Sequence, residues 1–354
     1  MGFLNNKLQL DFDLFERVTK NMIGPSDPLP GVLGASVPNS NNSTLRTRGW
    51  EATIRWNHEI KNSGLSYFAS FNLSDAQSVV LDYLNPTGII TDWYRGKKVG
   101  EIWGYTANEL FKSQDEVDAY LSKVNLSYIY NKWNPGDLKY LDKNGDGKVN
   151  SGTNSINDPG DLSVIGNNTP RYQWGLSAGF EYKGFDFSFL IKGTAKRDFF
   201  VTENANVSNY EYWGIKTWLH TALTTDHLDY FRDQPGDKYT GLYEGDANIN
   251  LNAFWPKRYI QADQNYKNEQ PSTRYLLNLS YARLQNVQLG YNLSQSLLRN
   301  LHLQKVRIYI SGENLWTMTS LIRGLDPTAL GFSNTLGATY RADKMVSMGI
   351  NIVL

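Results

Sequence analysis

The sequence predicts an all-β fold: a portion of an antiparallel transmembrane β-barrel with about eight long strands, short turns at one end and long loops at the other. Three observations predict it. Segments spread along the chain alternate apolar and polar residues with period two, and the apolar set is rich in Tyr, Phe and Trp. Strand side chains point to opposite faces in turn, so each segment has one oily face and one wet face, as a wall between lipid and a watery lumen requires. The connections between these segments alternate between a few residues and many tens. Finally, no run approaches the roughly 20 apolar residues of a membrane helix, and the mean hydropathy is −0.47. Barrel strands give a much weaker hydropathy signal, so this does not oppose a membrane wall.

The strands follow in order. Leu8, Leu10, Phe12 and Leu14 alternate with Gln9, Asp11 and Asp13. Trp50, Ala52, Ile54 and Trp56 alternate with Glu51, Thr53, Arg55 and Asn57. After the turn Lys61-Asn62-Ser63-Gly64 come Leu65, Tyr67, Ala69, Phe71 and Leu73, with Ser66, Ser70 and Asn72 between them. The clearest pair is Tyr172 to Ile191. Trp174, Leu176, Ala178, Phe180 and Tyr182 alternate with small or polar residues, Lys183-Gly184 turns the chain, and Phe185, Phe187, Phe189 and Ile191 repeat the pattern. Val287, Leu289 and Tyr291, then Val306, Ile308 and Ile310, then Val346, Met348, Ile350 and Ile352 complete eight strands. Short connections are expected near 61–64, 183–184 and 294–301. Long ones are expected near 20–44, 82–170, 196–272 and 319–337. Structureless loops this long are rare in compact domains, so these should carry structure and function. One element is readable inside them: Ser113-Gln-Asp-Glu116 is a capping box that opens a helix over about 114–123, with Val117, Tyr120 and Leu121 on it.

Composition excludes several classes. Lys+Arg and Asp+Glu are equal at 35 each, so nothing suggests a nucleic-acid partner. There is no Cys, which excludes disulfides and thiolate metal sites. The opening Met1-Gly-Phe-Leu-Asn-Asn-Lys7 has neither the charged nor the apolar region of a secretory leader. A membrane barrel needs one: either it lies on sequence upstream or the barrel reading is wrong.

One motif has metal chemistry. Asp142-Lys-Asn144-Gly-Asp146-Gly147-Lys148 places oxygens at positions 1, 3 and 5, a Gly at 6 for the sharp turn and a carbonyl, that of Lys148, at 7. The twelfth position is Thr153, not Glu, so the closing carboxylate comes from elsewhere, with Asp161 or Asp158 as supplier. The spacing predicts Ca2+ above Mg2+, because the ligands are many, oxygen-only and on a loop. The bland alternative is an Asx/Gly-rich turn without metal.

Catalytic motifs are weak. Gly175-Leu-Ser177-Ala-Gly179 matches a nucleophile elbow, but it sits inside an alternating strand rather than at a strand-to-helix turn. His58, His220, His227 and His302 show no metal spacing and read as surface or interfacial residues. No carboxylate pair is selected by spacing, so no enzyme is expected. Loop aromatics Tyr210, Tyr212, Trp213, Trp218, Tyr243 and Trp255 could stack on sugars or pack the loops together. Trp50, Trp56 and Trp174 read as lipid-facing or girdle residues.

Four stretches carry a family resemblance. They are Gly100-Glu-Ile-Trp-Gly-Tyr105 followed by Glu109 to Tyr120; Pro135-Gly-Asp-Leu-Lys-Tyr-Leu-Asp142 with the Asn-Gly-Asp-Gly loop and Asp161-Leu-Ser-Val-Ile-Gly166; Ser280 to Tyr291; and Val306 to Trp316 with Gly324-Leu-Asp-Pro327. In their order and spacing the chain resembles the C-terminal part of SusC/RagA-type TonB-dependent outer-membrane transporters of Bacteroidetes. The resemblance implies a 22-stranded barrel with an N-terminal plug, a SusD-like surface lipoprotein as partner, and TonB-driven import of oligosaccharides or peptides across the outer membrane. It maps a cation loop onto Asp142, Asn144, Asp146, Lys148 and Asp161. The whole of 1–354 then reads as one barrel portion, with extracellular loops at about 82–170 and 196–272, and with plug, leader and about fourteen strands lying outside it. Alone, such a portion is expected to form an open curved sheet with bare edges at 8–18 and 344–354. The alternative reading is a secreted, calcium-stabilised, all-β glycan-binding module.

Overall fold

The computed structural model describes residues 2–26, 32, 34, 37–201, 225–237, 239, 241–259, 264, 266–300, 303–321, 325–330 and 342–353. Strands and helices follow in chain order: β1 (Gly2–Phe3), β2 (Leu8–Pro25), β3 (Asn39–Ile60), β4 (Leu65–Asp82), β5 (Glu101–Gly104), β6 (Ala107–Leu110), α1 (Gln114–Leu121), β7 (Leu138–Tyr140), β8 (Ser163–Asn167), β9 (Arg171–Tyr182), β10 (Phe185–Lys196), β11 (Asp198–Phe199), β12 (Leu277–Asn278), β13 (Tyr281–Asn292), α2 (Gln295–Asn300), β14 (Lys305–Thr319) and β15 (Met345–Val353). One antiparallel sheet holds nine strands in the order β1-β2-β3-β4-β9-β10-β13-β14-β15. Eight of them are long and are the eight the alternation foretells. The sheet is open. On its outer edge β2 meets only the two residues of β1, and β15 pairs on one side, with β14.

The register explains the alternation. Leu10, Ile54, Phe71, Leu176, Ile191, Leu284 and Trp316 lie side by side across seven strands. On the other face Gln9, Arg55, Ser70, Ser177, Leu190, Asn286 and Glu313 form the matching row, with Leu190 its single large apolar member. At the turn end Leu65, Tyr182, Phe185, Tyr291, Ile308 and Ile350 form an aromatic-rich row, with the Phe185 and Tyr291 rings 4.6 Å apart. Toward the loop end Trp174 stands beside Leu73. Trp50 stands one step further out, beside Asp75. From Leu65 to Leu73 is about 26 Å of strand. Tilted by about 40°, this is about 20 Å of thickness, close to the roughly 25 Å apolar band of an outer-membrane barrel. Most of this face meets no protein: Phe12, Leu14 and Met348 are 62%, 75% and 82% exposed. In water that would be a severe liability; in lipid it is the contact surface.

Past the apolar band the pattern changes. Arg48 bonds Glu16 across β2 and β3, and Arg171 grips Asp75 with two nitrogens at 2.5 Å each. The strands run on beyond the band. β2 reaches Pro25 and β3 starts at Asn39, so the connection expected over 20–44 is shorter, because its first and last residues are strand. There Ser43 and Val80 are buried and the strand ends share a cavity with Trp93 and Val99, so the contrast of lipid with water no longer sets the pattern. The connection near 294–301 likewise holds a short helix, α2.

The wet face also has internal order. Arg307 reaches past Gly290 to bond Asp186 at 2.5 and 2.9 Å and also bonds Gln288 at 2.9 Å. A Cβ on Gly290 would lie 2.6 Å from both Asp186 oxygens and from Arg307 Nη2. Gly290→Val is therefore expected to part this pair and destabilise the barrel by about 1–3 kcal/mol. Chemical unfolding of the complete receptor in detergent checks it; an unchanged midpoint would show that the pair gives way freely.

The hydrophobic core lies outside the sheet, in the long loops. Phe111, Val117, Leu126, Leu138, Tyr140, Trp255, Tyr275 and Leu279 are buried together. β5 pairs with β8, and β6 with β7, inside the first long loop; β11 pairs with β12 at the two ends of the second. The capping box forms with a shift. Ser113 Oγ accepts the Glu116 N–H at 3.2 Å, but Glu116 reaches back to the N–H of Lys112, at 2.8 Å, rather than to that of Ser113. Helix α1 buries Val117 against the core.

Candidate functional site

The two long loops are zipped into one layer. Tyr105 N–H bonds the Pro271 carbonyl at 2.8 Å and Thr273 N–H bonds that of Tyr105 at 3.1 Å. Tyr140 hydroxyl donates to the Lys267 carbonyl at 2.5 Å. Beneath this lies a buried ionic network. Lys267 and Asp137 are 1% and 0% exposed and meet at 2.5 Å. Asp137 also accepts from Asn134 N–H at 2.7 Å, Tyr259 hydroxyl at 2.8 Å and Asn268 Nδ2 at 2.9 Å. The Lys267 ammonium gives a further bond to the Lys132 carbonyl at 2.8 Å and lies 4.4 to 5.5 Å from the ring centres of Tyr259, Tyr130 and Trp133. Burial pushes its pKa down, while the Asp137 charge pulls it back up. Burial, reinforced by Asp137, holds the Tyr259 phenol well above the usual range. Asp137 sits within a stretch the family resemblance picks out, but nothing in the sequence pairs it with a lysine 130 positions on. That partner was not foreseen.

A second buried pair ties the loop after β14 to the sheet. Arg283 on β13 bonds Asp326 at 2.7 Å and Thr317 Oγ1 at 2.9 Å. Burial would raise the Asp326 pKa, but bonds from the Thr328 hydroxyl and N–H, from Arg283 and from Ala342 N–H outweigh it and hold the carboxyl low.

The predicted cation loop is an ordered turn. Gly145 and Gly147 are left-handed, at φ 77° and 80°. Asp142 accepts N–H bonds from Gly145 at 2.7 Å, Asp146 at 3.2 Å and Gly147 at 2.8 Å. Asn144 accepts that of Asp146 at 3.0 Å, and Asp146 that of Lys148 at 2.9 Å. Of the two candidates for closure, Asp161 is the one whose carboxylate bonds the backbone of the 142–150 loop. It is fully buried and accepts from Lys143 N–H at 2.7 Å and Asn150 N–H at 2.8 Å. Asp158 instead serves its own turn, accepting from Thr153 N–H at 2.9 Å. Side-chain oxygens at alternate positions around two left-handed glycines suit a hard cation. Among the described residues no three His, Cys, Asp or Glu side chains converge on one point.

The other candidates fall into place. Ser177 lies in mid-strand on the wet face beside Ser70 and Leu190, not on an elbow. Trp50, Trp56 and Trp174 share the apolar face, as their alternation implies. His58 packs edge-on to Tyr67 at 5.7 Å. His227 departs from the surface expectation: it is buried and stacks on Trp255 at 5.4 Å. Trp255 in turn stacks on Tyr275 at 5.7 Å, so it packs the loops together. Tyr243 is exposed. His220, His302, Tyr210, Tyr212, Trp213 and Trp218 lie outside the described residues.

Comparison with known proteins bears on this layout. No family model matches the chain. It is 24% identical to TonB-dependent receptor P3 of Formosa agariphila, over all of this chain and 31% of that protein. It is 23% identical to TonB-dependent receptor SusC of Bacteroides thetaiotaomicron, over 92% of this chain and 28% of that one. Its fold matches a chain of the RagAB peptide transporter with a TM-score of 0.65 and 18% identity, over 100% of this chain and 34% of that chain. The chain thus spans about a third of the length of the relatives it matches. Sequence and fold agree with the resemblance: over nearly its whole length the chain is similar to TonB-dependent receptors, SusC among them, and its fold is that of part of the RagAB transporter chain.

Proposed function

We propose that this chain is the C-terminal wall of the barrel of an outer-membrane importer of oligosaccharides or peptides, which works through TonB and with a SusD-like surface lipoprotein. The observation that carries the reading is the pairing of an oily face continuous across eight strands with a packed loop layer at one end only. A soluble glycan-binding module, the alternative, would cover that face with a second sheet. Deletion of the complete gene is expected to abolish uptake of one nutrient class while leaving monosaccharide and free amino-acid growth intact, and the protein is expected in the outer-membrane fraction, extractable only with detergent. Recovery in the soluble fraction, or no uptake defect on any glycan or peptide, would overturn it.

We further propose that the 142–150 loop binds Ca2+ through Asp142, Asn144, Asp146 and the Lys148 carbonyl, with Asp161 closing it. The alternating oxygens and the glycine turn support this. Saturating calcium, at about 100 times its Kd, is expected to stabilise the fold by about 2.7 kcal/mol. The rise in Tm should reverse with chelator, be weaker with magnesium and vanish in Asp146→Ala. A Tm indifferent to calcium would refute the site.

A further inference from the structure

Charge enters the oily face at one corner. The rows from Leu65 out to Leu73 hold no Asp, Glu, Lys or Arg on that face. On β3, Arg48 and Arg46 follow Trp50 on the same face, two and four residues further out. With a rise of about 3.4 Å per residue and a tilt of about 40°, they stand about 5 and 10 Å beyond Trp50. The headgroup layer of a bilayer is about 5–8 Å deep on each side. Arg48 therefore starts inside that layer and Arg46 at its outer rim, where a long cationic arm bends back to reach headgroups.

A third cation joins them from the first long loop. Residues 96–99 fold back along β4: Val80 N–H bonds the Lys97 carbonyl and Val99 N–H that of Ser78, both at 2.9 Å. Val79 and Lys98 are thereby direct partners on one face. Lys97 turns the opposite way, and its ammonium donates to the Ile90 and Asp92 carbonyls. Val18, Arg46, Val79 and Lys98 thus form one row across the outward face, and Glu16, Arg48 and Gln77 the row beneath it. Strands lie about 4.8 Å apart, so Arg46 and Lys98 stand about 10 Å apart with the short Val79 as the floor between them. Two long arms can close that gap around a group the size of a phosphate.

The two rows carry three cations and one carboxylate, Glu16, which bonds Arg48. The Arg48 and Glu16 side chains are 63% and 44% exposed, and a pair this open is worth little. Among the described residues neither Arg46 nor Lys98 has an ion-pair partner. Glu101 accepts the Lys98 backbone N–H at 3.0 Å, and its charge acts on Lys97. The corner is positive on balance, and it borders the lipid face directly.

We propose that this corner of the wall binds the phosphate of an anionic lipid headgroup in the outward leaflet. The Arg46 guanidinium and the Lys98 ammonium grip its oxygens across Val79, and Arg48 and Gln77 bond from the row beneath. A guanidinium fork matches phosphate oxygens in pairs, and basic clusters at a membrane surface recruit anionic headgroups. The proposal rests on the lipid-wall reading and is independent of what is imported. The test is native mass spectrometry of the complete receptor released from a neutral detergent, with dioleoyl phosphatidic acid as the probe. The lipid should be retained, and less of it as salt is raised. Arg46→Gln with Lys98→Gln is expected to weaken binding at least about tenfold. Arg46→Lys with Lys98→Arg changes the same two positions but keeps both charges; it should bind nearly as the parent does, which separates loss of charge from loss of fold. A glutamine pair that binds as tightly as the parent overturns the proposal. So does equal retention of dioleoylglycerol, which lacks the phosphate, or displacement of the lipid by equimolar inorganic phosphate, which would mark a site for a soluble anion. A receptor that is soluble without detergent counts against the wall itself, and one that needs detergent but retains no phosphatidic acid counts against this site alone.

Discussion

Lys267→Met is expected to loosen the loop layer by about 3–5 kcal/mol, the usual cost of leaving one member of a buried ion pair behind. The reason is specific to the site. Asp137 is fully buried, and without Lys267 it is left with the neutral donors of Asn134, Tyr259 and Asn268 alone. Asp137→Leu should cost more still, because it takes one shared acceptor from four donors at once: the Asn134 N–H, the Tyr259 hydroxyl, Asn268 Nδ2 and the Lys267 ammonium. Hydrogen exchange on the complete receptor reads the result. Protection should fall at 132–140 and 266–275 together, since the network joins them, while the amides of β9 and β10 keep theirs. Equal protection in variant and parent would mean that the aromatic packing alone holds the two loops.

Ala178→Arg is expected to destabilise the barrel by about 2–4 kcal/mol, the cost of a guanidinium near the middle of the lipid band. Ala178 lies between Ala69 and Phe189 on the oily face, several rows from either aromatic border. The neighbouring Ser177→Arg is the control. One residue along the strand reverses the face, so that arginine enters the wet side beside Ser70 and Leu190 and should cost far less. Unfolding of both variants in the same micelle separates the two. If they lose stability equally, the face assigned to lipid is wrong.

Much of the wall was legible in the sequence, and for a simple reason. Where one face meets lipid and the other water, every second residue must differ, and Trp174 to Tyr182 or Phe185 to Ile191 records that demand directly. The record fades where the demand does. β3 begins at Asn39 in the stretch Asn-Ser-Asn-Asn-Ser-Thr, polar at every position, and nothing in its pattern marks a strand. The loop layer was legible only in fragments. Ser113 to Glu116 announced a helix because a cap is a local event. β5 and β8 are four and five residues long and lie about sixty positions apart, too short for periodicity and too distant for a turn signal. The 142–150 loop could be read as a string, but which of Asp158 and Asp161 meets its backbone depends on a fold-back that spacing does not encode. The Lys267–Asp137 pair joins separate loops, and no local pattern could place the two together.

The placement of the core in the loops also bears on how such a wall is assembled. Tyr105, Leu138 and Tyr140 belong to one long loop and Trp255, Tyr275 and Leu279 to the other, yet they share one interior. The two loops leave the sheet between β4 and β9 and between β10 and β13, so the shared interior is complete only when all four strands are in place. From then on, drawing any of them back would first require melting that shared interior. Withdrawal of any one of these four strands is thereby tied to the melting of the whole loop layer.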